Sequence, residues 1–92
     1  MDKFENEALG ISIAIEPELK HRHIEAYFDE VRLADITKHS QFYAERVFIE
    51  SAIKAKIVLT PMDVLEQKPA VVAWLADSIV TYIREAREIP KN

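Results

Sequence analysis

The sequence contains no cysteine among its 92 residues. This absence excludes disulfide frameworks, thiolate nucleophiles and every zinc site that needs a cysteine ligand. Basic residues are also too few to create a positive field, because 12 Lys and Arg stand against 16 Asp and Glu. The resulting net charge of −4 argues against nucleic acid as a partner.

Long apolar runs are missing as well. Uncharged stretches such as residues 57–62 and 69–76 are far shorter than the roughly 20 residues of a membrane-spanning helix, so no membrane association is expected. The first seven residues are acidic and polar, unlike a secretory signal. They predict a cytoplasmic protein, located in the host cytoplasm if a phage encodes it.

The composition that remains is ordinary for a globular protein, with 49% hydrophobic and 30% charged residues. A chain of 92 residues predicts one small domain. Such a domain hides only somewhat over 60% of the surface that its unfolded chain exposes, roughly. We therefore expect a homo-oligomer, in which a second subunit covers more of the apolar surface.

Isoleucine recurs at every second position in residues 9–15, at Ile11, Ile13 and Ile15, which is the period of a strand with one buried face. Residues 1–8 are interpreted as a flexible leader. Because no second strand-like run was identified, the backbone of residues 9–15 needs water or another molecule as its partner. The alternative is an extended arm that lies over the helices of its own chain.

Three segments have helical patterning, at residues 17–33, 40–58 and 69–89. The stretch 42–59 has two separate apolar stripes, with Phe42 on the second, which predicts a central helix with two neighbours. Residues 62–68 are expected to form a helical turn. The predicted fold is therefore mainly α: a three-helix small domain, with its helical core at 17–89 and a short N-terminal strand-like arm at 9–15.

Residues with catalytic or metal-binding chemistry do not form a convincing set. His21 and His23 are two residues apart, and on a helix this spacing points the two imidazoles in different directions, so we expect a surface pair. His39 and Ser40 lack a third orienting group, and Ser40 is better explained as a helix cap. We predict no enzyme activity, no catalytic or metal-binding residue and no cofactor.

Trp74 is the only tryptophan and lies beside the main apolar stripe of the last helix. It is either the edge of the core or an anchor for a protein partner, because large amphipathic rings dominate binding hot spots. Tyr82 has the same ambiguity. The predicted partner-binding residues are Ile11, Ile13, Ile15, Val71, Trp74 and Tyr82.

Three stretches, residues 51–58, 68–75 and 85–90, together resemble the C-terminal half of the small tail assembly chaperones of tailed bacteriophages. Lys56 stands where that pattern has a glycine after the alanine. The resemblance implies a helical, non-enzymatic protein that oligomerises. It also implies a function, which is to coat hydrophobic parts of the long tape-measure protein until the tail tube polymerises around it.

A second hypothesis belongs to a different class. A small regulatory or inhibitory protein-binding module, which docks on a host enzyme through its acidic surface, would have a similar composition. A neighbouring gene for a very long helical protein would favour the chaperone, whereas a lone operon beside a repressor gene would favour the inhibitor.

Overall fold

The computed structural model describes residues 1–90, which form three α-helices and one small antiparallel sheet. The strands are β1 (Lys3–Asn6) and β2 (Ile11–Ala14), and the helices are α1 (His21–Ala34), α2 (Gln41–Lys54) and α3 (Pro69–Ala86). Short 3₁₀ helices at Ile36–Lys38 and Val64–Glu66 lie in the two helix connections. The mainly helical fold class is confirmed, and so is the helical turn within residues 62–68.

The two strands form a hairpin in which Phe4 lies opposite Ile13. Gly10 closes the turn with φ +64, a conformation that glycine adopts without strain, and donates its N–H to the Glu7 carbonyl at 3.0 Å. The interpretation of residues 1–8 as a flexible leader is therefore wrong, and so is the prediction of a lone strand. Strand β1 is not evident from the sequence, because Phe4 is its one large apolar residue and apolar and polar residues do not alternate along it.

Helix α1 begins at His21, later than predicted, because Lys20 is still extended. The Lys20 backbone N–H donates to Nδ1 of His23 at 2.9 Å, which satisfies a backbone donor at the start of the helix. His23 is buried, whereas His21 is exposed and lies 3.3 Å from the Glu25 carboxylate. The prediction that both imidazoles lie on the surface is therefore wrong for His23.

Helix α2 lies between α1 and α3 and packs against both, as its two apolar stripes predicted. Ser40 caps it by accepting the Tyr43 N–H at 3.3 Å. Val47 and Ile49 are buried. Phe42, placed on the second stripe, is instead 79% exposed, because an open groove separates the N-terminal ends of α2 and α3 there.

The predicted end of the central helix at residue 58 is wrong, since α2 ends at Lys54. Lys56 adopts a left-handed conformation with φ 64. Its N–H donates to the Ile53 carbonyl at 3.2 Å, and the Ile57 N–H donates to the Ala52 carbonyl at 2.9 Å. This pair of hydrogen bonds is the Schellman motif, which satisfies the last carbonyls of a helix.

After this reversal, residues 57–59 run beside the N-terminal segment. Ile15 and Val58 form an antiparallel bridge. The Glu16 N–H donates to the Ile57 carbonyl at 2.9 Å, and the Leu59 N–H donates to the Ala14 carbonyl at 2.8 Å. The segment after α2 thereby joins the hairpin to the helices. This arrangement agrees with the alternative in which residues 9–15 lie over the helices of their own chain.

The molecule is a slab with principal extents of 40 × 33 × 21 Å. The hairpin covers one flank of α3, where the Phe4 ring meets the edge of Tyr82 at 5.5 Å between centroids and an interplanar angle of 88°. All three α-helices and both strands contribute to a single core. Its members are Phe4, Ile13, Ile15, Tyr27, Ile49, Ala52, Ala55, Ile57, Val58, Val64, Leu75, Ala76, Ile79 and Ile83.

The left-handed backbone at Lys56 gives a stability prediction. Lys56→Gly should raise the free energy of unfolding by roughly 0.5–1 kcal/mol, because a Cβ in this conformation costs energy that glycine does not incur. Chemical denaturation would measure the change. Lys56→Ala is the matched control, since it removes the same charge but keeps the Cβ. Equal stabilities of the two variants would contradict the backbone explanation.

Candidate interaction surface

The predicted contact strand faces inward. Ile13 and Ile15 are 2% and 1% exposed and lie in the core of their own chain. Ile11 is half-buried against that core. The prediction that these three isoleucines bind a partner is corrected for Ile13 and Ile15, because β1 and residues 57–59 provide the pairing that the lone strand was thought to lack.

The three partner-binding residues predicted on α3 do not form an open patch either. Val71 is buried, and Trp74 and Tyr82 are half-buried against the core. Tyr82 is further fixed by its hydroxyl, which donates to the Glu16 carbonyl at 2.6 Å. Trp74 and Tyr82 are eight residues apart, so they lie on neighbouring sides of α3, and the Phe4 ring of the hairpin packs on Tyr82. The core-edge interpretation of Trp74 fits this position.

Polar side chains outside the core act as caps and ring contacts. His39 lies against the Tyr43 ring, with 4.1 Å between ring centroids, while Ser40 is engaged as a cap.

Between residues 1 and 90, no group of three or more His, Asp or Glu side chains is arranged to hold a metal ion. In the same range, no helix is long and apolar enough to cross a bilayer.

The opposite flank of α3 is open and was missed by the sequence analysis. Three adjoining depressions follow α3 on this side, and we call them together the open face. The first, between the N-terminal ends of α2 and α3, has a volume of about 740 Å³ and is called the Phe42 groove. The others have volumes of about 210 and 280 Å³ and share Phe48 and Val80 in their walls.

The Phe42 groove is the largest part of the open face. Phe42 and Leu65 stand at its sides and are 79% and 73% exposed. The remaining apolar wall residues are Tyr43, Val64, Pro69, Ala70, Val72 and Ala73. Asp63 holds Leu65 in place, because its Oδ1 accepts the Leu65 N–H at 3.2 Å and caps the short 3₁₀ helix.

Charge is distributed unevenly along the open face. Glu45 and Asp77 line the middle depression, while Arg84 and Arg87 line the depression at the C-terminal end of α3. Within residues 1–90, none of these four side chains has an oppositely charged partner within 4.0 Å. Arg46, in the Phe42 groove, differs because it lies 3.4 Å from the Glu50 carboxylate.

Tyr27 lines the depression that contains Arg84 and Arg87. Its hydroxyl is buried and has no hydrogen-bond partner among the described residues. Burial raises the pKa of Tyr27, since the phenolate loses more hydration than the neutral phenol. Burial, followed by the charge of Glu16, also raises the pKa of Tyr82.

Comparison with known proteins gives no match to a family model, to a curated protein sequence or to a solved structure. The resemblance to tail assembly chaperones therefore stays a prediction.

Tyr27 and Tyr82 give a matched pair of substitutions. Tyr82→Phe should lower the free energy of unfolding by about 0.5–1.5 kcal/mol, because it removes a hydrogen bond. Tyr27→Phe should be neutral or stabilising by up to about 1 kcal/mol, because its hydroxyl is buried without a partner. Urea denaturation of both variants would test this order. A larger loss for Tyr27→Phe would show that its hydroxyl is bonded in solution.

The raised tyrosine pKa values also predict a pH dependence. A tyrosine whose pKa is higher in the folded state contributes stability that is complete below the unfolded pKa of about 10 and is lost as pH rises above it. The free energy of unfolding should therefore decline above about pH 10. The double variant Tyr27→Phe, Tyr82→Phe should decline less steeply, and an unchanged slope would contradict the assignment.

Proposed function

We propose that this protein is a non-enzymatic binding module that holds an apolar segment of another protein in the Phe42 groove. The observation that carries the proposal is the exposure of Phe42 and Leu65 beside one concave surface. Large apolar side chains that remain exposed together at a depression are typical of protein interaction sites. The volume of about 740 Å³ is also in the range of roughly 300–1,000 Å³ that ligand sites occupy.

The chemistry of the groove favours an amphipathic helix as its occupant. Both of its long walls come from helices, α2 and the first turns of α3. Glu45 and Arg46 are its only charged wall residues in the described chain, and Arg46 is already paired with Glu50. A partner helix that inserts an apolar stripe, with its polar side in water, matches this arrangement.

The resemblance to tail assembly chaperones supplies the class of partner. In that role, the groove would bind apolar helical stretches of a tape-measure protein and keep them soluble before the tail tube forms. The backbone at Lys56 supports this part of the proposal. Lys56, which replaces the glycine of the pattern, has the left-handed backbone that a glycine at this position would adopt.

Co-expression with a long helical protein encoded by a neighbouring gene, as the candidate tape-measure protein, would test the proposal. The wild-type chain should increase the soluble fraction of the tape-measure protein and be retained by it in a pull-down. The double variant Phe42→Ser, Leu65→Ser should lose both effects while it keeps its fold, because both side chains are already exposed.

Leu33→Ser is the matched control. Leu33 is 70% exposed but lies on the last turn of α1 and is not part of the groove wall. This variant should retain binding. The proposal fails if the Phe42 and Leu65 variant binds as well as the control does, or if no gene for a long helical protein lies beside this one.

A further inference from the structure

Helix α3 has a second repeating pattern besides the stripe that faces the core. Its members are Ala73, Asp77, Val80, Arg84 and, just after the helix, Arg87. They are spaced by four, three, four and three residues, which is the seven-residue period by which two helices pack along each other. All five lie outside the core, and Val80 is 41% exposed although it is apolar. We call this row the outer seam.

The charges of the outer seam are complementary to a reversed copy of the same seam. Val80 lies near its centre, Asp77 lies one turn before Val80, and Arg84 lies one turn after it. If a second α3 runs antiparallel with the two Val80 side chains adjacent, Asp77 of each copy meets Arg84 of the other. The opposite arrangement, with parallel helices in register, would place like charges together.

A second pair of charges follows the same symmetry. In the antiparallel arrangement, Arg87 of one copy comes beside Ala73 of the other. Glu45 lines the same depression as Ala73 and has no ion pair within residues 1–90, so it is the carboxylate that Arg87 would meet. All four unpaired charges of the open face therefore find partners in one symmetric contact.

We propose that two copies of this chain form a symmetric dimer through the outer seam, with α3 antiparallel to its copy and Asp77 paired with Arg84 in both directions. Val80 packs at the two-fold axis, and the exposed Phe28 and half-buried Phe48 beside it extend the apolar contact. Ala73 keeps the two helices close, since its side chain is small. This contact adjoins the Phe42 groove, because Ala73 and Glu45 lie in the walls of both, whereas Phe42 and Leu65, which carry the proposed function, lie outside the outer seam.

The exposed area of the chain is consistent with such a contact. The structure exposes 6352 Å², whereas a compact monomer of 10.6 kDa is expected to expose about 5,500 Å². The excess of roughly 850 Å² is close to the roughly 800 Å² that each partner buries in a standard protein interface.

The dimer also sets the positions of the two Phe42 grooves. Ala70, in the groove wall, is ten residues from Val80 along α3. At 1.5 Å per residue, antiparallel helices would place the two grooves at opposite ends, about 30 Å apart along the helix axes.

Charge reversal tests the proposal on the full chain, with sedimentation equilibrium as the readout. Wild type should be dimeric at high micromolar concentration. Asp77→Arg alone and Arg84→Asp alone should each raise the dimer Kd by about tenfold or more, because either change turns both attractive contacts into repulsive ones. Circular dichroism would verify that each variant keeps its helix content.

Mixing the two single variants is the decisive step. A chain with Asp77→Arg carries arginine at both 77 and 84, and a chain with Arg84→Asp carries aspartate at both positions, so the mixture should form a heterodimer that is tighter than the homodimer of either variant. The double variant Asp77→Arg, Arg84→Asp should dimerise with itself. No mechanism based on misfolding predicts recovery on mixing.

Glu85→Arg is the control, because Glu85 is exposed on the same helix but lies outside the seam. It should leave the dimer Kd within about threefold of wild type. The proposal is overturned if wild type is monomeric at high micromolar concentration, if either single reversal leaves the dimer Kd within about threefold of wild type, or if mixing fails to restore association. It is also overturned if Glu85→Arg disrupts the dimer as strongly as the seam variants do.

Discussion

The reversal of the chain at Lys56 is the constraint on which the rest of the structure depends. The Schellman motif turns the chain out of α2 within two residues, and this turn directs Ile57 and Val58 toward the N-terminal segment. Ile57 and Val58 are 0% and 1% exposed, so they join the core and pair with the strand at once. Without the reversal, the hairpin would have no backbone partner among the helices, and a two-stranded hairpin alone is marginally stable at best.

The same constraint gives α3 two different flanks. The hairpin, held by residues 57–59, covers the flank with Tyr82, and its Phe4 ring completes the core there. Nothing within residues 1–90 covers the other flank, where Val80 and the arginines lie. An amphipathic helix with one buried stripe needs only one covered side. Besides that stripe, α3 has the exposed outer seam.

Much of the fold could be predicted from the sequence, because helical periodicity, prolines and caps are local signals. Pro69 marked the start of α3, and the two stripes of the central helix correctly indicated two neighbours. The end of α2 was missed because a lysine in the left-handed conformation carries no local signature. Strand β1 was missed because its burial depends on a single phenylalanine. Its pairing with β2 also leaves no local signal of the kind that marks a helix.

The candidate site was harder to predict than the fold. Alternating isoleucines indicate one buried face but do not identify what buries it, and here the protein's own core does. Phe42 was assigned to a packed stripe, because periodicity cannot show where a neighbouring helix diverges. The outer seam follows a seven-residue spacing from Ala73 to Arg87. An apolar stripe is not evident there, because the seam contains charges of both signs and a small residue.

Strand β2 has backbone partners on both sides, since β1 lies along one edge and residues 57–59 meet its end on the other. The outer edge of β1 is free, but it is four residues long with Lys3 and Glu5 joined at 3.0 Å on its outer surface, and the part of the β2 edge that residues 57–59 leave open is shorter still. Short, charged edges resist the addition of further strands. The protein can therefore display apolar helical surface to a partner without offering a template for sheet-like aggregation, which is a useful separation for any protein that works among exposed hydrophobic chains.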